Sequence, residues 1–171
     1  MLCSIAINSP VGRLTVSATP QAITSIAWTD DPQGEPHALL IEAMRQLEAY
    51  FAGRLTRFDL PLMPAGSPFD KRVWEVMRQI PHGQTRTYGE LAMELGSGPR
   101  AIGGACGRNR IPIVIPCHRV LARNGLGGFS GGIGLATKRG LLALERDIPG
   151  DLSWAVNAHR MPTDAPGRHP I

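Results

Sequence analysis

The chain has 171 residues, 43% hydrophobic and 19% charged, enough to bury a real core in one domain or two small ones, which excludes wholesale disorder. No apolar run approaches the ~18 residues of a membrane helix. The net charge of +4 is unevenly spread: −2 over residues 1–68, +7 over 69–146 from ten arginines and two lysines against five acids, and −1 over 147–171.

The first sixty residues read as a small α+β unit. Leu2 to Ile7, a Ser9-Pro10-Val11-Gly12 turn, Leu14 to Ser17 and Ile23 to Trp28 alternate as a strand meander. Pro36 opens a helix with Leu40, Met44, Leu47 and Phe51 at spacings of three and four, closed by Gly53. Nothing in residues 1–60 carries recognisable chemistry, so a scaffold role is expected, and Leu60-Pro61-Leu62-Met63-Pro64-Ala65-Gly66 reads as a linker, placed at 61–67.

A mainly helical unit is expected over 68–150, followed by a tail at 151–171. Ser67-Pro68-Phe69-Asp70 supplies an N-cap, a proline at the first helical position and an acid in the first turn. Thr87-Tyr88-Gly89-Glu90 is a capping box for a short helix that Gly96 ends. Pro99 opens a second helix to about Arg108, giving a helix-turn-helix pattern. Ala101, Gly103 and Gly104 weaken that helix without packing gain, but small residues allow close approach to a nucleic-acid backbone or groove, with Arg100 and Arg108 available as cations.

Ile111 to Ile115 is an apolar run suited to a buried strand, ended by Pro116. Cys117-His118-Arg119 follows, a thiol beside an imidazole and a guanidinium, the groups that lower a cysteine pKa and supply a base. Glu145, on a helix from Lys138, is the candidate to orient the imidazole. Cys3 and Cys106 read as structural thiols. Three cysteines with no CxxC spacing suggest neither a disulfide framework nor a zinc site, and the start of the chain lacks the features of a secretory signal, so a reducing cytoplasm is expected.

Pro116-Cys117-His118-Arg119-Val120 closely resembles the active-site motif of the O6-alkylguanine-DNA alkyltransferases. The likeness runs from about Gln46 to Glu145 through Tyr50-Phe51-Ala52-Gly53, Val73-Trp74, Ile80 to Thr85, Tyr88 to Ala92, Arg100 to Gly103, Asn109, Gly128 to Gly132 and Leu141-Leu142. It implies an N-terminal α+β domain, a helix-turn-helix DNA-binding domain, and irreversible, single-turnover transfer of an alkyl group from guanine O6 to a cysteine. The implied roles are Cys117 as acceptor, His118 as its base through a water, Glu145 orienting His118, and Asn109 bracing the turn before the active-site segment. Arg100 would enter the base stack in place of the flipped nucleotide, with Tyr88 near that nucleotide as a donor. Val120, Phe129 and Ser130 would line the base pocket.

Double-stranded DNA bound through the minor groove is the expected partner, with no cofactor, no metal, no membrane and no obligate protein partner, the chain acting as a monomer. Departures from the pattern are a turn between Tyr88 and Arg100 two residues short, Arg110 in place of proline and Phe129 in place of tyrosine. The stretch from Ser130 to Lys138 is also one residue longer than in some members. A non-catalytic helix-turn-helix regulator and a Cys-His hydrolase are the alternatives.

Overall fold

Alternating apolar residues and a tight turn bring the N-terminal segments together as strands β1 (Cys3–Ile7), β2 (Leu14–Ala18) and β3 (Ile23–Ala27). They pair antiparallel in sequence order, with Ile5 opposite Val16 and Val16 opposite Ile26. The computed structural model describes residues 1–146; the last four residues of the helical unit expected over 68–150 and the tail at 151–171 lie outside the described residues. Leu14, Val16, Ala18 and Ile23 are fully buried on one face of the sheet. Helix α1 (Ala38–Phe51) covers that face with Leu40, Ala43 and Leu47. It begins at Ala38 rather than at Pro36, because His37 is still extended, at φ −97° and ψ 172°, and takes the N-cap position.

The proline-rich segment after α1 is not a free tether. Ile23 donates its backbone N–H to Pro61 O at 2.8 Å and accepts from Met63 N at 2.8 Å, so residues 61–63 run along the edge of β3.

Helix α2 (Pro68–Arg78) starts as its local sequence dictates, with the Ser67 hydroxyl accepting from Asp70 N at 3.1 Å and Pro68 in the first turn. Its Trp74 is buried and donates Nε1–H to Ala105 O at 2.8 Å, fastening α2 to the helix pair behind it. The bare Gly66 lies on that indole, where a Cβ would come within 2.4 Å of the ring. Strand β4 (Arg86–Thr87) leads into α3 (Tyr88–Leu95), whose capping box is complete. Thr87 Oγ1 accepts from Glu90 N at 3.1 Å and the Glu90 carboxylate accepts from Thr87 N at 2.6 Å. Gly96 closes α3 in the left-handed region at φ 62°, Gly98 caps, and Pro99 starts α4 (Pro99–Gly107). The short turn preserves the helix register, since Ile102 and Ala105 are fully buried. Strand β5 (Val120–Leu121) pairs parallel to β4, and α5 (Leu135–Arg146) packs behind it. One contiguous core joins the two halves, from Ile7 and Leu47 through Tyr50 to Met77, Ile113 and Leu141.

The run Ile111 to Ile115 is buried but is not a strand. It is a tight turn in which Ile115 N donates to Ile111 O at 2.9 Å and Ile113 takes a left-handed φ of 75°. A β-branched residue rarely adopts that region, at a cost of about 1–3 kcal/mol. Apolar composition signalled burial; it could not tell an extended segment from a folded one.

Candidate active site

Asn109 brackets the buried turn from its first residue. Its Oδ1 accepts from Ile111 N at 3.0 Å and its Nδ2 donates to Ile115 O at 2.9 Å, so one side chain replaces the backbone partners that a strand would have provided. The turn delivers Cys117 to the start of a single 3-10 turn, Cys117–Arg119, which is buried throughout. Burial pushes the Cys117 thiol up, and the Asn109 amide and the Lys138 ammonium pull against it without prevailing. The resting group is therefore a thiol. The His118 and Arg119 side chains do not provide the expected lowering, because both turn away toward Glu145; His118 acts on the thiol only through its backbone.

Glu145, on α5, is the hub. His118 Nε2 lies 2.7 Å from its Oε1, and Arg119 donates Nε–H to Oε2 at 2.9 Å and Nη2–H to Oε1 at 2.8 Å. The Tyr50 hydroxyl, 95 residues away in α1, donates to Oε1 at 2.8 Å. Arg119 also donates Nη1–H to Ile80 O at 2.7 Å. Burial works to raise the Glu145 carboxyl, but the His118 contact and then Arg119 hold it well below the usual carboxylate range. Burial lowers the His118 pKa despite the carboxylate, so its ring is neutral. An ionised carboxylate can only accept, which puts the ring proton on Nε2 and leaves the Nδ1 lone pair free. Among the described residues, Nδ1 of His118 is the one buried side-chain polar atom without a hydrogen-bond partner. That nitrogen, basic and fully buried, belongs to the residue next in sequence to the Cys117 thiol.

Lys138, one of two lysines in the chain, is fully buried two turns before Glu145 on α5. Its ammonium donates to Val120 O at 2.7 Å and Gly128 O at 3.2 Å, and it lies 5.7 Å from the centre of the Tyr88 ring. Burial lowers its pKa, while the two nearby thiols, Cys117 first, work to raise it. Sequence reasoning missed Lys138, Arg119 as a Glu145 partner, and Tyr50. One of only two lysines in an arginine-rich chain, seven residues before the acid singled out as the orienting group, was the available signal for the first.

Cys117 opens on a cavity of about 980 Å³ whose lining includes Tyr88, Arg100, Gly103, Cys106, Asn109 and the loop 128–132. Tyr88 is half-buried and burial pushes its hydroxyl up to about 12, so it stays protonated as a donor. Gly127, at φ 71°, passes flat against that ring, where a Cβ would sit 2.7 Å away. Cys106 shares the cavity, its thiol pushed up to about 12 by burial and then by Cys117. Arg100 is exposed at the mouth, and Gly103 beside it faces open space.

Other expected residues sit differently. Phe129 and Ser130 line the cavity, but Val120 does not: it is fully buried opposite Arg86, with its carbonyl taken by Lys138. Ala101 is exposed on α4, whereas Gly104 lies under the Arg108 guanidinium, 3.1 Å from where a Cβ would be. Arg108 in turn makes a two-pronged ion pair with the buried Asp70 of α2, at 2.8 and 3.0 Å, which serves the packing of α4 on α2. Among the described residues no cluster of three His, Cys, Asp or Glu is placed to hold a metal. No helix there is long and apolar enough to cross a membrane.

The chain is similar to known proteins over most of its length. Residues 68–147 match the family model described as 6-O-methylguanine DNA methyltransferase, DNA binding domain, and residues 2–64 match its ribonuclease-like domain. A methylated-DNA-protein-cysteine methyltransferase of Mycolicibacterium paratuberculosis is 42% identical over 155 residues, 82% of this chain and 90% of that protein. Its namesake from Methanosarcina barkeri is 50% identical over 152 residues, 82% of this chain and 95% of that one. Among solved structures, the crystal structure of Mycobacterium tuberculosis OGT in complex with DNA is similar with a TM-score of 0.78 and 42% identity, covering 87% of this chain and 96% of that one.

Proposed function

The chain belongs to the 6-O-methylguanine DNA methyltransferase family, whose members repair O6-alkylguanine by moving the alkyl group onto a cysteine of their own, and we propose that Cys117 is that cysteine here. The observation that carries the assignment is the unpartnered Nδ1 of a neutral, Glu145-held His118 beside a buried thiol.

In the step we infer, the Cys117 proton passes through a water to His118 Nδ1 as the sulfur attacks the alkyl carbon. The S–C bond forms, the C–O6 bond breaks, and the electron pair stays on guanine, which regains a proton. Tyr88, protonated at the edge of the cavity, supplies the hydrogen bond that eases that departure. Glu145 stabilises the imidazolium that forms, and Lys138 stabilises the thiolate. Water does not regenerate a thioether, so each molecule acts once.

A guanine inside a duplex cannot reach a buried sulfur. The base is therefore turned out, at a cost of a few kcal/mol, with Arg100 stacking in its place and Gly103 letting α4 approach the minor groove closely. The +7 charge of residues 69–146 supports sequence-independent phosphate binding. Arg108 is a weaker candidate for that surface, because Asp70 holds it. We read the protein as a monomer in the cytoplasm, where the acceptor thiol stays reduced.

The test is incubation with a duplex containing O6-methylguanine, intact-mass measurement and peptide mapping. The expected result is one added CH2 unit on Cys117 and none in Cys117→Ser; an unchanged mass with unrepaired DNA would sink the reading. Arg100→Ala is expected to slow repair in duplexes by roughly tenfold or more while sparing transfer from a free modified base, a difference of the size of one unstacked base step.

A further inference from the structure

One wall of the cavity comes from the N-terminal domain, and the transfer chemistry does not account for it. Trp28, the residue after β3, lines the cavity together with Ile26 and Ala27. Its own domain fixes it from behind: the indole Nε1–H donates to Val11 O at 2.9 Å. Gly12, at φ 114°, lets the β1–β2 turn pass against the ring, where a Cβ would sit 3.4 Å from Cδ1.

In front, the indole meets the loop 128–132. It stacks edge-to-face on Phe129, with centroids 6.2 Å apart and planes at 86°. Gly131 lies so close that a Cβ would sit 2.5 Å from the indole Cζ3 and 2.9 Å from Phe129 Cε1, and one on Gly132 would sit 2.9 Å from the indole Nε1. Real Cβ atoms do not come that near, so the loop is bare of side chains where the indole rests on it. The other walls are fixed by contacts already described: α4, which carries Gly103, is fastened by the Trp74–Ala105 hydrogen bond, and Asn109 locks the turn that holds Pro112.

We propose that Trp28 is the specificity-determining residue of this cavity, limiting the size of the alkyl group that Cys117 can accept by holding the Phe129–Gly132 loop in place. The proposal rests on the alkyl-transfer reading above. A methyl group between guanine O6 and the sulfur needs no further room. A benzyl group must lie against a wall, and the wall that can yield is the one assembled across the domain boundary from Trp28 and Phe129.

Single-turnover rates with duplexes carrying O6-methylguanine and O6-benzylguanine, read by intact mass for the native chain, Trp28→Ala and Trp28→Phe, test it. The benzyl-to-methyl rate ratio is expected to rise about tenfold in Trp28→Ala, the scale of discrimination that a hydrophobic pocket achieves, and to stay within about twofold in Trp28→Phe. Partial unfolding lowers both rates together and leaves the ratio alone. A ratio that is unchanged or lower in Trp28→Ala overturns the proposal. A native chain that takes up neither group overturns the alkyl-transfer reading and this one with it. As a second arm, Gly131→Ala is expected to slow methyl transfer in the native background and to recover when combined with Trp28→Ala. Equal slowing in both backgrounds overturns the contact on which the proposal stands.

Discussion

The C-terminal half assembles its reactive groups from neighbours in sequence, whereas the N-terminal half contributes by reaching across. Cys117, His118 and Arg119 are consecutive, and Glu145 is one helix away. Tyr50 and Trp28 sit in a domain with no chemistry of its own, yet one donates to Glu145 and the other lines the cavity. The difference teaches that a scaffold domain can be part of a site without containing a reacting group. The scaffold reading of residues 1–60 is too narrow for this reason.

Substitutions that break the two kinds of contribution should separate them by size. The largest effect is expected from Glu145→Gln, which leaves the buried Arg119 guanidinium without its carboxylate. Denaturant unfolding should show a loss of about 3–5 kcal/mol, with transfer slowed in whatever folds. Lys138→Met strands two carbonyls, at a cost of about 1–3 kcal/mol, and a titration of Cys117 with a small alkylating reagent should show its thiol pKa moving further up. Tyr50→Phe removes one of four hydrogen bonds to a buried carboxylate, an expected loss of about 1.5 kcal/mol with Arg119 still in place. If unfolding of Tyr50→Phe matched the native protein, the N-terminal domain would contribute no more than packing at that point.

The mildest test is pH. His118 is held neutral with a lowered pKa, so as pH falls below about 6.5 the unfolded chain takes up a proton that the native ring refuses, and stability falls. Glu145 acts in the same direction at lower pH. Its stabilisation is full above the unfolded carboxylate value near 4.3 and is lost as pH falls from there toward its lowered native value. Melting curves should therefore decline in two stages, each group contributing at most about 1.4 kcal/mol per pH unit, and Glu145→Gln should make the lower stage shallower, leaving the part that the Arg108-paired Asp70 contributes. A flat curve from pH 7 to 5 would mean that the buried imidazole tolerates charge.

What could be read from the sequence was whatever is decided locally. Ser67-Pro68, the Thr87–Glu90 box and Gly96 each satisfy backbone groups within four residues, so their pattern carries their meaning. Cys117 and His118 were singled out by adjacency, and the pairing of His118 with Glu145, a 2.7 Å contact in the structure, was carried by the resemblance because spacing alone gave it weak support. The misreadings come from partners far away or from competing terms. Ile111 to Ile115 has the composition of a strand, but Asn109 supplies the bonds that let it fold back. Arg119 looked like a neighbour of the thiol because it is close in sequence, and the 3-10 turn points it to Glu145 instead. No local pattern could say that Tyr50 meets a residue 95 positions on.

Lys138 and Glu145 stand on the same face of α5, with two turns of helix between them. One rigid rod thus sets both the position of the Lys138 ammonium and the orientation of the His118 ring, and the interval of seven acts as a ruler. Ahead of the rod the chain turns at Gly132 and Gly134, both at positive φ, with Gly134 N donating to Gly131 O at 2.9 Å. A single residue inserted between 138 and 145 would rotate one end by about 100° relative to the other and part Glu145 from His118 or Lys138 from Val120. In a lineage of such chains, insertions should therefore accumulate before position 135 and be purged after it.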